Sequence, residues 1–298
     1  YDDFFQSGGH SLLALRLAGK IYERFGRRVS LAVLFKNPTV NQMADTLRSA
    51  AQVDNPLLVP LQQSATGPNL FCLPGAGGNV LYFDSLASNL GAEQSVWALQ
   101  GLGLGENEVI PDKIEDFAAR YIQIIQEQVQ PQGPYYLIGH SFGAFTAFEM
   151  ASQLLRQGEE IAFLGLVDNA APGTGLRDEY TQFTHAQWLR HIAIRIEKLY
   201  NTDLSLDKLN LEGKDEDTQT ETLIEQLINS ATLPRDLNKA HFKRFIEVYK
   251  ANARAAACYR PEALPAPVRT VLFKAGRDDP DLETNRQTSL GWKEGSGQ

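Results

Sequence analysis

Apolar residues recur along this chain in two rhythms. In the first fifty residues Leu13, Leu17 and Ile21 return every fourth position, the spacing of one helix face. Ser11 stands where that helix needs an N-cap, and Gly26 ends it. After the short apolar turn Val33-Leu34-Phe35, Asn37-Pro38-Thr39 introduces another helix over residues 40–49, capped by Thr39. From residue 57 onward, short apolar blocks alternate with longer amphipathic stretches. The blocks at 57–61, 70–73, 95–99, 135–138, 161–167 and 268–273 read as strands. The first reads as an edge strand, because Pro60 has no N–H to give a ladder. Residues 161–167 include no polar side chain, which predicts the middle of a parallel sheet. Residues 80–90, 114–129 and 144–157 read as helices. In the second of these Ile114, Phe117, Ala118, Tyr121, Ile125 and Val129 share a face. Strand and helix in alternation predict an α/β fold.

The alternation breaks between about 173 and 257, where helical pieces at 186–200, 219–230 and 238–257 follow one another. They form either a lid over a site or an independent helical domain. Trp188, Leu189, Ile192, Phe245 and Tyr249 suit a pocket lining and core packing equally, and Lys214-Asp215-Glu216-Asp217 reads as a solvated loop. Residues 51–56, polar and ending in Pro56, read as a linker.

Composition narrows the function. The chain has 298 residues, enough for one large or two ordinary domains, and 43% of them are hydrophobic, enough for a sizeable core. A net charge of −8 without a basic block argues against nucleic acid as a partner. No apolar run is long enough to span a bilayer and no signal peptide is evident, so a cytoplasmic protein without a membrane partner is expected. Cys72 and Cys258 lack metal-ligand spacing and read as buried reduced thiols, with no metal site expected. The chain starts at Tyr1, without Met and inside a motif, as a piece of a longer protein would.

The chemistry centres on Gly139-His140-Ser141-Phe142-Gly143. An apolar strand precedes it and a helix follows, the setting of a nucleophile elbow. Small residues two positions either side of the serine permit the sharp turn. The turn sets Ser141 at a helix N-terminus, where backbone N–H groups meet developing negative charge. Such a serine needs an oxyanion site, an acid and a base. Gly75-Ala76-Gly77-Gly78 follows the first core strand and lets backbone approach a substrate carbonyl, so the N–H groups of Ala76 and Phe142 are the expected oxyanion donors. A phosphate cradle is the alternative for that loop, though it lacks a P-loop lysine and Rossmann spacing. Asp168 ends the strand after the elbow helix and is the expected acid, with Asp278 or Asp279 as the competitor and a plain turn role as the alternative. The base is missing. None of His10, His140, His185, His191 and His241 follows the last strand, so the histidine is expected beyond residue 298.

Two resemblances are carried by these residues. Asp2, Phe4 and Phe5 followed by Gly8-Gly9-His10-Ser11-Leu12-Leu13-Ala14 resemble the peptidyl carrier domain of nonribosomal peptide synthetases. His10 before the serine favours the peptide class over polyketide and fatty-acid carriers. The resemblance implies a small all-α carrier of four-helix type over 1–50, lacking its first helix, with 4′-phosphopantetheine covalently on Ser11; otherwise Ser11 is a helix cap. Leu73-Pro74-Gly75-Ala76-Gly77-Gly78, the elbow and Leu166-Val167-Asp168 resemble the type I thioesterase that ends such synthetases. That resemblance implies an α/β-hydrolase fold over 57–298 with a helical lid, its C-terminal end incomplete. Together they imply release of a peptidyl thioester by hydrolysis or macrocyclisation. They imply as partners upstream condensation and adenylation domains, a phosphopantetheinyl transferase and the peptidyl substrate. A docking module without chemistry and a generic esterase are the rival readings.

Overall fold

A computed structural model describes residues 57–274 except 81, 106–107, 170–177, 201 and 234–238. In the N-terminal stretch it describes 2–4, 7, 14, 17, 20–21, 24–26, 29, 33–34 and 37–48. Ser11 and His10 lie outside the described residues, as do Asp278 and Asp279.

In the N-terminal stretch, helix α1 spans Val40–Arg48. Its start is a reciprocal cap. Thr39 Oγ1 accepts from the Gln42 N–H at 3.3 Å, and Gln42 Oε1 accepts from the Thr39 N–H at 3.2 Å. Ala14, Ile21, Val29, Leu34 and Met43 form a small buried cluster, with Phe4 and Leu17 packed against it.

The larger part is built on a six-stranded sheet in the order β1-β3-β2-β4-β5-β6. The strands are β1 (Leu58–Gln62), β2 (Asn69–Leu73), β3 (Ser95–Leu99), β4 (Tyr135–His140), β5 (Ile161–Val167) and β6 (Thr270–Phe273). Only β1 is antiparallel, at the edge where its proline is tolerated; the other pairs are parallel. Side chains of β2 alternate between the two faces. Phe71 and Leu73 join the core beneath α3 (Ile114–Gln128) and α4 (Phe142–Arg156), while Leu70 and Cys72 join the core beneath α2 (Phe83–Asn89). The expected strand 161–167 lies inside the sheet, between β4 and β6.

Between β5 and β6 the chain makes a helical insertion: α5 (His185–Tyr200), α6 (Glu216–Asn229) and α7 (Lys239–Cys258). Leu189, Ile192, Leu223, Leu227, Phe242 and Ile246 give it a hydrophobic cluster of its own. Ala255 and Ala256 at the far end of α7 belong instead to the sheet's core. A single helix therefore joins the two cores.

Three expectations are corrected. Cys258 is exposed, because it falls on the outward side of the last turn of α7, whereas Cys72 is buried. The 214–217 stretch is not merely solvated. Asp215 caps α6, accepting from the Thr218 N–H at 3.0 Å, and Lys214 reaches Thr222 Oγ1. The helix after the elbow starts at Phe142 rather than at residue 144, because Ser141 is itself the N-cap. Trp188 is wholly buried against Tyr180 and Phe183, so packing accounts for it.

Candidate active site

β4 ends at His140 and α4 starts at Phe142, leaving one residue for the turn. Ser141 occupies it with φ 55° and ψ −117°, a conformation that costs a residue bearing a Cβ and persists only where its surroundings enforce it. Here they do. The Ser141 N–H donates to the Val167 carbonyl at 3.0 Å, and the Ser141 carbonyl accepts from the Ala144 N–H at 3.0 Å. The flanking glycines are needed for close approach rather than for their own φ. A Cβ on Gly139 would overlap the Gly143 carbonyl, and one on Gly143 would overlap the Leu73 carbonyl. Ser141 is partly exposed.

Asp168 follows β5 directly. Because β5 neighbours β4 in parallel, both residues emerge at the same edge of the sheet. Asp168 is exposed, has φ 47°, and is anchored by its N–H to the Phe273 carbonyl at 2.7 Å. Burial pushes the His140 imidazole below its ordinary pKa, and the Asp168 carboxylate pulls the other way. The competing Asp278 and Asp279 lie outside the described residues.

The loop after β2 reaches the same edge. A Cβ on Gly75 would stand 3.7 Å from Ser141 Cβ. Three successive peptide planes of this loop are each fixed by one hydrogen bond. The Gly75 N–H donates to the Tyr82 hydroxyl at 3.0 Å, the Gly75 carbonyl accepts from the Gly78 N–H at 2.9 Å, and the Ala76 carbonyl accepts from Asn252 Nδ2 at 2.8 Å. The Ala76 and Phe142 N–H groups, the two expected oxyanion donors, carry no hydrogen bond among the described residues. They remain available to a charge that develops during reaction.

Two neighbours were not foreseen. Tyr82 OH stands 3.1 Å from His140 Nδ1 while it accepts from Gly75, so one hydroxyl links the elbow to the loop after β2. Nothing in the spacing of Tyr82 marks it. Asn252 does leave a trace, as a polar residue in line with Phe245 and Tyr249 on one helix face. His185 and His191 are engaged within the insertion. His185 Nε2 lies 2.8 Å from Thr220 Oγ1 and His191 Nε2 lies 3.3 Å from Tyr249 OH. Among the described residues, no group of three or more potential ligands can hold a metal ion.

A serine on a strained strand-to-helix turn, an aspartate just after the neighbouring strand and a glycine-rich loop lie at one edge of a mostly parallel sheet. The thioesterase domain family matches residues 68–297. The chain belongs to this family. The thioesterase has the α/β-hydrolase fold, and it is preceded by a phosphopantetheine attachment site domain matched over residues 2–47, which carries 4′-phosphopantetheine covalently on a serine. A dimodular nonribosomal peptide synthase of Bacillus subtilis (strain 168) is 41% identical over 168 residues, which is 56% of this chain and 7% of that protein. The crystal structure of holo-AB3403, a four-domain nonribosomal peptide synthetase bound to AMP and glycine, matches 100% of this chain and 22% of its own, with a TM-score of 0.73 and 27% identity. The Vlm2 thioesterase domain shares the fold, with a TM-score of 0.54 and 22% identity over 81% of this chain and 85% of its own. The thioesterase and its carrier thus span a small part of the multidomain synthetases they match. No described helix is long and apolar enough to cross a membrane.

Proposed function

We propose that this chain releases finished peptides from a nonribosomal peptide synthetase in the cytoplasm. In this reading residues 1–50 are an all-α peptidyl carrier of four-helix type and 51–56 a linker. Residues 57–298 are the thioesterase, with residues 173–257 as a lid over the site. The carrier receives its chain from upstream condensation and adenylation domains, after a phosphopantetheinyl transferase has modified Ser11. The bound group supplies a thioester within reach of the second domain. Ser141 Oγ attacks that carbonyl, the new C–O bond forms and the C–S bond breaks. A histidine beyond residue 298, oriented by Asp168, takes the Ser141 proton and passes it to the leaving sulfur. The Ala76 and Phe142 N–H groups hold the oxyanion. Water, or a nucleophile of the peptide itself, then frees the acyl group from Ser141.

The observation that carries the proposal is Ser141, held in a strained turn next to the Gly75 loop, with Asp168 just after the adjacent strand. The test uses the terminal module continued past residue 298 and loaded with peptide. Ser141→Ala is expected to slow release by at least about a thousandfold and to leave peptidyl-pantetheine on Ser11, seen by intact-protein mass spectrometry. Release at the normal rate overturns the reading in favour of a docking module. Failure of Ser11 to gain the phosphopantetheine mass favours a free-standing esterase.

A further inference from the structure

The oxyanion loop is held from two directions. Tyr82 and Gly78, from the core domain itself, fix the 74–75 and 75–76 peptide planes. The 76–77 plane is held by Asn252, which reaches in from α7 of the helical insertion. A carbonyl oxygen only accepts, so the amide group facing Ala76 O is the NH2, and the other end of the side chain is necessarily the acceptor. That acceptor, Asn252 Oδ1, is buried and has no partner among the described residues, on a residue only 1% exposed. An apolar side chain of the same size would remove the orphaned Oδ1 but would take the donor from the Ala76 carbonyl, so the asparagine keeps the loop carbonyl bonded at the cost of its own oxygen. Phe245, two turns earlier on the same face, packs on the same loop; its ring would lie 3.2 Å from a Cβ on Gly77. The glycine at 77 leaves the 76–77 plane free to rotate unless something holds it.

We propose that Asn252 is a positioning residue for the acyl-transfer reaction: by fixing the Ala76 carbonyl it holds the oxyanion loop in its working form, so that this form depends on the seating of α7. The proposal rests on the reading of Ser141 and Ala76 given above. Were the 76–77 plane to turn over, the negative end of the Ala76 carbonyl would move toward the side on which the Gly77 N–H now stands. The backbone beside the Ala76 N–H would lose its preorganisation, which is the part of the barrier that such a site lowers.

The test uses the loaded terminal module continued past residue 298, with a peptidyl pantetheine thioester and a peptidyl boronic acid. Asn252→Leu is expected to lower kcat about ten- to a hundredfold while KM stays within about threefold, and to weaken boronate binding by a similar factor. Asn252→Asp keeps the shape but loses the donor when ionised. Burial raises the pKa of such a carboxyl, and once protonated it donates to the Ala76 carbonyl. Its activity relative to the unaltered protein is therefore expected to rise as pH falls. A structural role alone gives that profile only with a melting temperature that falls and recovers in parallel with kcat. Unchanged kcat in both variants, or changes of kcat and melting temperature that run in parallel across pH, overturns the inference. Ser141→Ala in the same assay separates the two levels. If it still releases peptide, the site reading fails; if it is inactive while the Asn252 variants behave normally, only the role of Asn252 fails.

Discussion

At the scale of single residues, the site is a set of close backbone approaches that tolerate no added atom. Gly143→Ala sets a methyl group against the Leu73 carbonyl and is expected to cost about 1–3 kcal/mol, measured as a lower urea midpoint, and to disturb the turn that presents Ser141. Tyr82→Phe removes the acceptor for the Gly75 N–H and the partner of His140 Nδ1. It is expected to lower single-turnover acylation of Ser141 about tenfold with little change in melting temperature. The pattern Gly-x-Ser-x-Gly was legible because the turn around Ser141 leaves no room for a Cβ on either glycine. Tyr82 was not, because its importance comes from a hydroxyl that meets the elbow across 58 residues of sequence.

At the scale of elements, strands were the most legible. β3 and β5 fall on the residues that their apolar runs predict, since a buried parallel strand needs apolar side chains on both faces. Helix ends were less so. The helix expected over 80–90 starts only at Phe83, because Val80 is drawn into the core ahead of it and its carbonyl accepts from the Phe83 N–H at 3.1 Å. The insertion helices were visible, but their docking was not, since it depends on aromatic contacts between distant segments. His191 shows the cost of that docking. It stands against Tyr180, Trp188 and Tyr249. Burial first, and then the charges of Arg195 and Lys198, push its pKa down to about 4 from the ordinary 6.5. Above pH 6.5 the imidazole is neutral in both states and the contribution is complete. Between 6.5 and 4 the unfolded chain takes up a proton that the folded one refuses, so stability falls as pH falls. Urea midpoints measured at pH 7 and 4.5 are expected to differ less in His191→Phe than in the unaltered protein.

At the scale of the whole molecule, the return of the chain from the insertion to the sheet is secured by a buried polar pair. The Tyr259 hydroxyl donates to Glu149 Oε2 at 2.7 Å, and Gln153 Nε2 donates to Glu149 Oε1 at 2.9 Å. Tyr259→Phe leaves a buried carboxylate oxygen without its donor and is expected to cost about 2 kcal/mol in equilibrium unfolding. Residues Glu149 and Tyr259 are 110 positions apart, so no periodicity shows the pair, although Glu149 is a polar anomaly in an otherwise apolar stretch.

α7 is fastened to the core at more than its far end. Arg244 donates to the Gly103 carbonyl at 2.6 Å and to the Glu108 carbonyl, while the Glu108 carboxylate accepts from the Gly103 and Gly105 N–H groups. With Phe245 and Asn252 beside the loop after β2, one rigid rod is tied to two separate loops of the core domain. On the reading of Ala76 proposed above, a shift of that rod is felt at both loops together.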